Sequence, residues 1–227
     1  MKKIFLFFTA LCAAIIVAVI LFPSVFSAQH SEKYAVLTFD DGPTQKYTSG
    51  ILDVLKDENV RATFFIVGIN VERHPALTRR IALEGHEIGN HSFRHFNPVP
   101  KSTGYLEHDL ERTNSAIEKI TGKKPVLFRP PYGTILPFMN EALKRENMKL
   151  VMWDINPNPH PNDTEFSVQE NIVFAQSDYL IVVMHDNSLR GKDAIKFLPG
   201  IITELRLRGY RFVTASELLE LKAKALK

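Results

Sequence analysis

The stretch at 34–43, YAVLTFDDGP, contains the pattern that decides the fold: a short apolar strand followed by two carboxylates and a turn. Similar apolar runs recur along the chain, and segments with helical spacing of apolar residues separate them. Strands are predicted at 34–39, 62–67, 87–89, 126–129, 150–153, 179–184 and 211–214. Helices are predicted at 47–59, 72–84, 103–121, 136–147, 167–176, 194–208 and 215–226. This alternation favours a parallel sheet with helices outside it, either barrel-like or doubly wound.

The composition is that of a globular protein of 227 residues and 25.8 kDa, enough for one domain of catalytic size and a short appendage. Hydrophobic residues make up 45% and charged residues 23%, which excludes a disordered chain. The single cysteine, Cys12, excludes an intrachain disulfide and a CxxC metal site. The net charge of +3 lacks the strong basic excess of a nucleic-acid-binding domain, so no nucleic-acid partner is predicted.

The N-terminal segment is predicted to be an export signal or an anchor. Residues 4–22 form an almost uninterrupted apolar run behind Lys2 and Lys3, long enough for a membrane-spanning helix. We therefore divide the chain into a signal peptide or membrane anchor at 1–28 and a globular domain at 29–227. The two N-terminal lysines place the domain outside the cytoplasm, either anchored through residues 4–22 or secreted.

Two carboxylates, Asp40 and Asp41, directly follow the first predicted strand. Strand alternation would point them to opposite faces, but a turn at 42–43 can aim both into one cavity. Adjacent carboxylates repel each other, so we expect a cation nearby. Taken alone, the pair is equally compatible with an ordinary turn or a helix N-cap.

Two histidines, His91 and His95, lie four residues apart in HSFRH, so a helical turn would place both imidazoles on one face. With one carboxylate from elsewhere they would form a three-ligand site that suits Zn²⁺ and leaves positions for water. Two surface histidines are the plainer alternative. His86 is a candidate for a supporting hydrogen bond to these ligands.

Two further strand ends carry polar groups. Arg129 precedes two prolines, a rigid turn that could hold the backbone N–H of Tyr132 toward an oxyanion. His185 ends the apolar strand at 179–184, where an imidazole that titrates near neutral pH suits acid–base chemistry. The plainer alternatives are a stiff loop with a surface arginine and a histidine at the edge of the core.

Taken in chain order, the motifs TFDDG, HSFRH, RPPYG and an apolar strand ending in histidine resemble the polysaccharide deacetylase family. This family carries the NodB homology domain of carbohydrate esterase family 4, and the resemblance covers about residues 33–222. It implies an α/β fold, a distorted (β/α) barrel of about seven parallel strands, here preceded by the N-terminal hydrophobic helix. Active sites in such barrels lie at the carboxyl ends of the strands.

The resemblance also implies a metal-dependent hydrolase that removes N-acetyl groups from an extracytoplasmic glycan. Asp41, His91 and His95 match the ligands of a divalent metal, expected to be Zn²⁺ with Co²⁺ as the alternative. The expected substrate is the N-acetylglucosamine of peptidoglycan, with chitin-type oligomers as the second choice. We expect a monomer that contacts the membrane only if the N-terminal segment stays uncleaved.

Four more residues match catalytic positions of the family. Asp40 matches the base that takes a proton from water, and His185 matches the general acid. Arg129 matches the residue that orients the base, and Tyr132 matches the residue whose backbone N–H holds the oxyanion.

One family motif is altered. The family usually carries an Asp-Trp pair in the loop after the strand that here contains Trp153, and its Asp supports the catalytic histidine; Pro159-His160 stands at that position. Asp163 and Asp154 are the candidate substitutes. The alteration keeps two alternatives open: a non-catalytic glycan-binding relative, and a hydrolase of the same fold that acts on another amide.

Overall fold

The predicted parallel sheet is present. The computed structural model describes residues 32–95, 102–157, 171–173, 175–187 and 190–225. The strands in these ranges are β1 Lys33–Asp40, β2 Thr63–Ile66, β3 Glu87–Asn90, β4 Leu127–Phe128, β5 Lys149–Leu150, β6 Tyr179–His185 and β7 Tyr210–Phe212. The helices are α1 Tyr47–Asp57, α2 Gly68–Arg73, α3 Pro75–Leu83, α4 Thr103–Thr121, α5 Met139–Arg145, α6 Gly191–Leu207 and α7 Ala215–Ala225. Each predicted strand has a counterpart, and the α/β class is confirmed.

The sheet is built around β1. Its strand order is β5-β4-β3-β2-β1-β6, with β7 beside β1 as well, and every pairing is parallel. The register of β1 with β6 runs from Tyr34↔Tyr179 to Asp40↔His185. Nearly all of β1 is buried, which explains its continuous apolar sequence, since strands of parallel sheets are covered on both faces.

The chain after β5 closes the barrel. Ile155 bridges to Val182 of β6, and the Val183 N–H donates to the Ile155 carbonyl at 2.9 Å. The Asp154 carboxylate accepts a hydrogen bond from the Ile181 N–H at 2.7 Å. An irregular segment therefore stands where a regular barrel would have a longer strand, which is the distortion that the sequence analysis anticipated.

Residues of β1 alternate between two environments. Ala35, Leu37 and Phe39 pack in the cluster that joins the sheet to the outer helices. Val36 belongs to a second cluster with residues of β2, β4 and α7. Thr38 and Asp40 lie on the same face of β1 as Val36, and both are buried polar residues. The interior of the barrel therefore changes from apolar to polar toward the carboxyl end of β1.

The prediction of one helix at 72–84 was wrong, because two helices, α2 and α3, cover this region. They separate at His74, whose φ of −128° and ψ of 55° are not helical. Pro75 follows directly, and a proline disfavours helical geometry in the residue before it. The prediction for α4 was correct to its ends, with Ser102 at the N-cap and Gly122 in the left-handed conformation after the last turn.

Two sequence predictions lie outside the described residues: the apolar helix at 4–22 with its boundary at 28, and most of the helix at 167–176. In the ranges that the structure covers, no helix combines the length and the apolar character that a membrane span requires.

We predict that Phe64→Ala lowers the free energy of unfolding by about 3–5 kcal/mol, the usual range for a truncated core aromatic residue. Phe64 is fully buried, and its ring stacks on Phe39 with the ring centroids 5.0 Å apart. Leu83→Ala is the matched control, since Leu83 is 79% exposed and its truncation should cost less than about 0.5 kcal/mol. Urea denaturation measures both, and equal losses would contradict this account of the core.

A second prediction concerns His86, which is buried just before β3, and whose Nδ1 accepts a hydrogen bond from the Ala62 N–H at 3.1 Å. Burial lowers the pKa of His86 from 6.5 to about 4. Between these two values the unfolded chain binds more protons, so stability falls as the pH drops from 6.5 to about 4. The contribution of His86 to this slope approaches about 1.4 kcal/mol per pH unit.

His86→Gln should flatten this dependence, and urea denaturation at several pH values measures it. The control is His108→Gln at an exposed position of α4, which should leave the slope unchanged. A slope that is the same in the wild type and in His86→Gln would refute the assignment.

Candidate metal centre and active site

Most of the predicted site residues line one cavity of about 680 Å³ at the carboxyl ends of the strands. Those that line it are Asp40, Asp41, His91, His95, Tyr132 and His185. Arg129 lies below it with no exposed surface. His86 lies at the opposite end of β3, so its predicted support for the histidine pair was wrong.

Both acidic residues after β1 face this cavity, as the turn allows. Asp40 is the last residue of the strand, while Asp41 has a φ of 80° in the left-handed region. That backbone conformation turns the chain and redirects the Asp41 side chain away from strand alternation. The side-chain amide of Asn70 donates to the Asp41 carbonyl at 2.9 Å and supports the turn.

Arg129 is the cation that the acidic pair required. Its Nη1 lies 2.8 Å from Asp40 Oδ1 and 2.7 Å from Thr38 Oγ1. Its Nε and Nη2 donate to the carbonyls of Val151 and Met152 at 3.1 and 3.0 Å. The guanidinium therefore fixes one Asp40 oxygen and joins β1 to β4 and to the chain after β5.

His91 and His95 approach each other, but not on a helical turn, so that part of the prediction was wrong. Ser92 and His95 have φ values of 66° and 51°, and the His95 N–H donates to Ser92 Oγ at 2.9 Å. This tight turn after β3 places the two imidazole centroids 5.1 Å apart.

A backbone carbonyl determines the tautomer of His91. Nδ1 of His91 lies 2.7 Å from the carbonyl oxygen of Arg129, which can only accept a hydrogen bond. Nδ1 therefore carries a proton, and Nε2 is the ring nitrogen that faces Asp41 and the cavity. Metal-binding histidines are commonly oriented in this way.

Asp41, His91 and His95 fit a divalent cation. One ligand atom from each lies within 4.8 Å of the others. Asp41 Oδ1 is 2.9 Å from His95 Nε2 and 3.3 Å from His91 Nε2, yet it is buried with no hydrogen-bond partner among the described residues. Burial alone would raise the pKa of Asp41, but the two imidazoles lower it, so the carboxylate is ionised. A buried carboxylate oxygen beside two imidazole Nε2 atoms is a set of ligand atoms that a divalent cation such as Zn²⁺ can bind.

Tyr132 lies in the turn that follows the two prolines. Its φ of 59° is left-handed, a strained conformation for a tyrosine, and its ring contacts His95 edge-on with the centroids 4.7 Å apart. The Tyr132 N–H makes no hydrogen bond to another described residue. The adjoining Gly133 also has positive φ, and a Cβ there would come within 2.6 Å of Trp153.

His185 lies beside the acidic pair because β1 and β6 are in parallel register with Asp40 opposite His185. Burial lowers the pKa of His185, and the charges of Asp40 and Asp41 oppose that change. The prediction that Asp154 supports this imidazole was wrong, since its carboxylate bonds to Ile181 in the barrel closure. The other candidate, Asp163, lies outside the described residues.

Asn187 is a residue of the site that no sequence motif indicated. Its side-chain amide donates to Asp41 Oδ2 at 2.6 Å and leaves Oδ1 facing the imidazoles. Its Oδ1 accepts a hydrogen bond from the Arg190 N–H at 2.9 Å. The sequence feature that could have identified Asn187 is its position two residues beyond the end of β6, where polar residues can reach the cavity.

Comparisons with known proteins agree with the resemblance that the sequence motifs indicate. A family model described as Polysaccharide deacetylase matches residues 27–151. The chain is similar to a peptidoglycan-N-acetylglucosamine deacetylase of Bacillus cereus, with 37% identity over 195 residues that cover 85% of this chain and 91% of the relative. It is also similar to the peptidoglycan-N-acetylmuramic acid deacetylase PdaA of Bacillus subtilis, with 34% identity over 83% of this chain and 72% of the relative.

A solved structure shares the fold. The Bc1960 peptidoglycan N-acetylglucosamine deacetylase has a TM-score of 0.79 and 31% identity to this chain. The match covers 83% of this chain and 89% of the solved chain.

We predict that Asn187→Ala weakens metal binding by roughly 10–100-fold, the usual effect of removing a group that orients a metal ligand. The reason is that Asp41 would lose the hydrogen bond that directs Oδ1 toward the imidazoles. Asn140→Ala, at an exposed position of α5, is the control and should leave affinity unchanged. Competition against a chromogenic chelator measures the affinity, and equal values for both variants would contradict the role of Asn187.

Proposed function

The chain belongs to the polysaccharide deacetylase family, and on that premise we propose that it removes N-acetyl groups from the glycan of peptidoglycan. The observation that carries the proposal is one shared cavity. It contains a cluster of two imidazoles and a carboxylate, and beside it the Asp40–His185 pair. Such a site offers a place for an electrophile, a base and an acid around a single amide.

The names of the relatives support peptidoglycan as the polymer. One is named for N-acetylglucosamine and another for N-acetylmuramic acid, the two sugars of that glycan. We place N-acetylglucosamine first, with chitin-type oligomers as the second choice.

Zn²⁺ is the proposed metal, with Co²⁺ as the alternative. Two imidazoles and one carboxylate are a typical ligand set for catalytic zinc, with positions left for water. A divalent ion bound by Asp41, His91 and His95 would supply Lewis acidity that lowers the pKa of water and polarises the acetamide carbonyl.

The proton transfers fall to two residues of the chain. Asp40 Oδ1 is held by Arg129, so Oδ2 is the oxygen that takes a proton from the attacking water. His185, on the neighbouring strand, gives a proton to the departing sugar nitrogen as the C–N bond breaks. The products are acetate and a free amine, and no other reactant than water is consumed.

The carbonyl oxygen gains negative charge during the attack. The Tyr132 N–H is the donor we assign to that oxygen, because its turn holds it beside the His95 ring and it has no other described partner. One such donor typically contributes about 2.7–4 kcal/mol to catalysis. Arg129 positions the base and does not contact the substrate.

We also propose that the reaction takes place outside the cytoplasm. Residues 1–28 act as a signal peptide or membrane anchor, and residues 29–227 form the catalytic domain. The apolar run at 4–22 behind Lys2 and Lys3 supports this assignment. We propose that the domain acts as a monomer.

The altered Asp-Trp position motivates a second candidate, a protein that binds the glycan without turnover. Neither ring nitrogen of His185 is hydrogen-bonded to a described carboxylate, so the tautomer of the general acid is not held by one. A hydrolase of the same fold acting on another amide is the third candidate.

Acetate release separates these candidates. The full-length chain, purified in detergent, is given peptidoglycan and N-acetylglucosamine oligomers, each with Zn²⁺ and with a chelator. The proposal expects acetate from peptidoglycan that the chelator abolishes and added metal restores. Metal-loaded protein that binds glycan but releases no acetate would favour the second candidate.

Two variants distinguish the role of the proposed base from the role of the metal ligands. Asp40→Asn should keep the metal but lose roughly 10²–10⁴-fold in turnover, because the proton acceptor is gone. His91→Ala should lose the metal itself. Asp57→Asn, at an exposed position of α1, is the charge-matched control. Metal analysis and acetate release are measured on each, and near-wild-type turnover of Asp40→Asn would exclude Asp40 as the base.

A further inference from the structure

A fully buried carboxyl group, that of Asp186, lies behind the catalytic cavity and has no role in the chemistry proposed above. Asp186 directly follows His185, the last residue of β6, and has no exposed surface. Of these two neighbours, His185 lines the cavity and Asp186 does not. Burying a carboxyl group costs free energy unless other groups bond to it, so the contacts of Asp186 indicate what it is there to hold.

The Asp186 side chain packs against the turn that follows the two carboxylates of the site. A Cβ on Gly42 would lie 2.0 Å from Asp186 Oδ2, so the carboxyl group occupies the space beside the Gly42 backbone. Only a residue without a side chain permits this close approach. Because Gly42 comes directly after Asp41, the Asp186 carboxyl group limits where this turn can lie.

Two threonines hold Asp186 in place. Oγ1 of Thr48 accepts a hydrogen bond from the Thr44 N–H at 2.7 Å, so the Thr48 hydroxyl donates its own proton to Asp186 Oδ2. The Thr44 hydroxyl donates to the Asp186 carbonyl at 2.6 Å. Thr48 is fully buried in the first turn of α1. Asp186 therefore joins the end of β6 to the segment that leads from the turn into α1.

The backbone of Asp186 extends the pairing of β1 with β6. Its N–H donates to the Asp40 carbonyl at 3.1 Å, one residue beyond the last pair of the β1–β6 register. On the other side of the turn, the Val67 N–H donates to the Gly42 carbonyl at 2.8 Å. The turn after β1 is thus held between the residue that follows β2 and Asp186.

Building on the proposed function, we propose that Asp186 is a positioning residue, which holds Asp40 and Asp41 in place without touching the substrate. Gly42 directly follows these two carboxylates, and His185 directly precedes Asp186. One contact between Gly42 and Asp186 therefore fixes the proposed base, a proposed metal ligand and the proposed general acid relative to one another. A displacement of about 1 Å can cost roughly 10²-fold in rate, even when the mutated residue lies away from the chemistry.

Three variants change this contact. Asp186→Ala removes the carboxyl group and leaves a gap beside Gly42. Thr48→Val keeps the shape of the threonine but removes the hydroxyl that bonds to Asp186. Asp186→Asn keeps the shape and the acceptor for Thr48. It also copies the neutral acid, since burial and the two neighbouring carboxylates raise the pKa of Asp186 to about 7.

Thr78→Val is the matched control. Thr78 is fully buried in α3, and its hydroxyl donates to the His74 carbonyl one turn earlier at 3.1 Å. Three quantities are measured on the full-length chain purified in detergent. They are the free energy of unfolding in urea, the Zn²⁺ affinity in competition with a chromogenic chelator, and kcat and KM for acetate release from peptidoglycan at saturating Zn²⁺.

Asp186→Ala and Thr48→Val should weaken Zn²⁺ binding by roughly tenfold or more. Both should lower kcat of the metal-loaded enzyme by roughly 10–100-fold with little change in KM, because the residue acts on the reacting groups and not on the substrate. Asp186→Asn should recover most of both losses. Thr78→Val should lower stability but leave the Zn²⁺ affinity and kcat at the wild-type values.

Lower stability with unchanged Zn²⁺ affinity and kcat would show that Asp186 is merely structural and would overturn the proposal. So would losses that Asp186→Asn does not relieve, or equal losses in Thr78→Val. Thr48→Val decides the outcome if Asp186→Ala does not fold. A wild type that binds Zn²⁺ without releasing acetate would overturn the deacetylase itself, while weaker Zn²⁺ binding by the variants would still support the positioning role.

Discussion

The buried ion pair between Arg129 and Asp40 is the interaction on which the rest of the site depends. Arg129 is fully buried, and its guanidinium stacks over Phe65 with the guanidinium carbon 4.1 Å from the ring centroid. It bonds to β1 and to the chain after β5, while its own carbonyl holds the imidazole of His91. One residue thus orients the proposed base and a proposed metal ligand. A charge buried this deeply requires its partner, because an unpaired one would be strongly destabilising.

The site is assembled where strands end and the backbone leaves ordinary geometry. Asp41, Ser92, His95 and Tyr132 all have positive φ without being glycine. Such conformations cost free energy and persist only where the surrounding structure enforces them. Here they redirect side chains and one backbone N–H into the same cavity. The rigid sheet below the turns is what keeps these groups in place.

Much of this arrangement could be predicted from the sequence, because apolar runs and polar residues at strand ends are local patterns. The alternation of strands and helices predicted the parallel sheet. The polar residues at predicted strand ends identified Asp40, Asp41 and His185 as candidate site residues. The failures came from contacts between distant parts of the chain. Asp154 closes the barrel against β6, which its own neighbours in sequence do not indicate. The bond from Asn187 to Asp41 joins residues 146 positions apart, so no local pattern contained it.

The central claim is that Asp41, His91 and His95 hold the metal that makes this cavity catalytic. Anomalous diffraction from crystals of the purified protein, recorded on both sides of the zinc absorption edge, tests it most directly. The account predicts one strong peak in the cavity, with both imidazole Nε2 atoms and an Asp41 oxygen at about 2.0–2.2 Å. A zinc-loaded protein whose anomalous peak lies elsewhere, or whose peak contacts none of these three side chains, would contradict it.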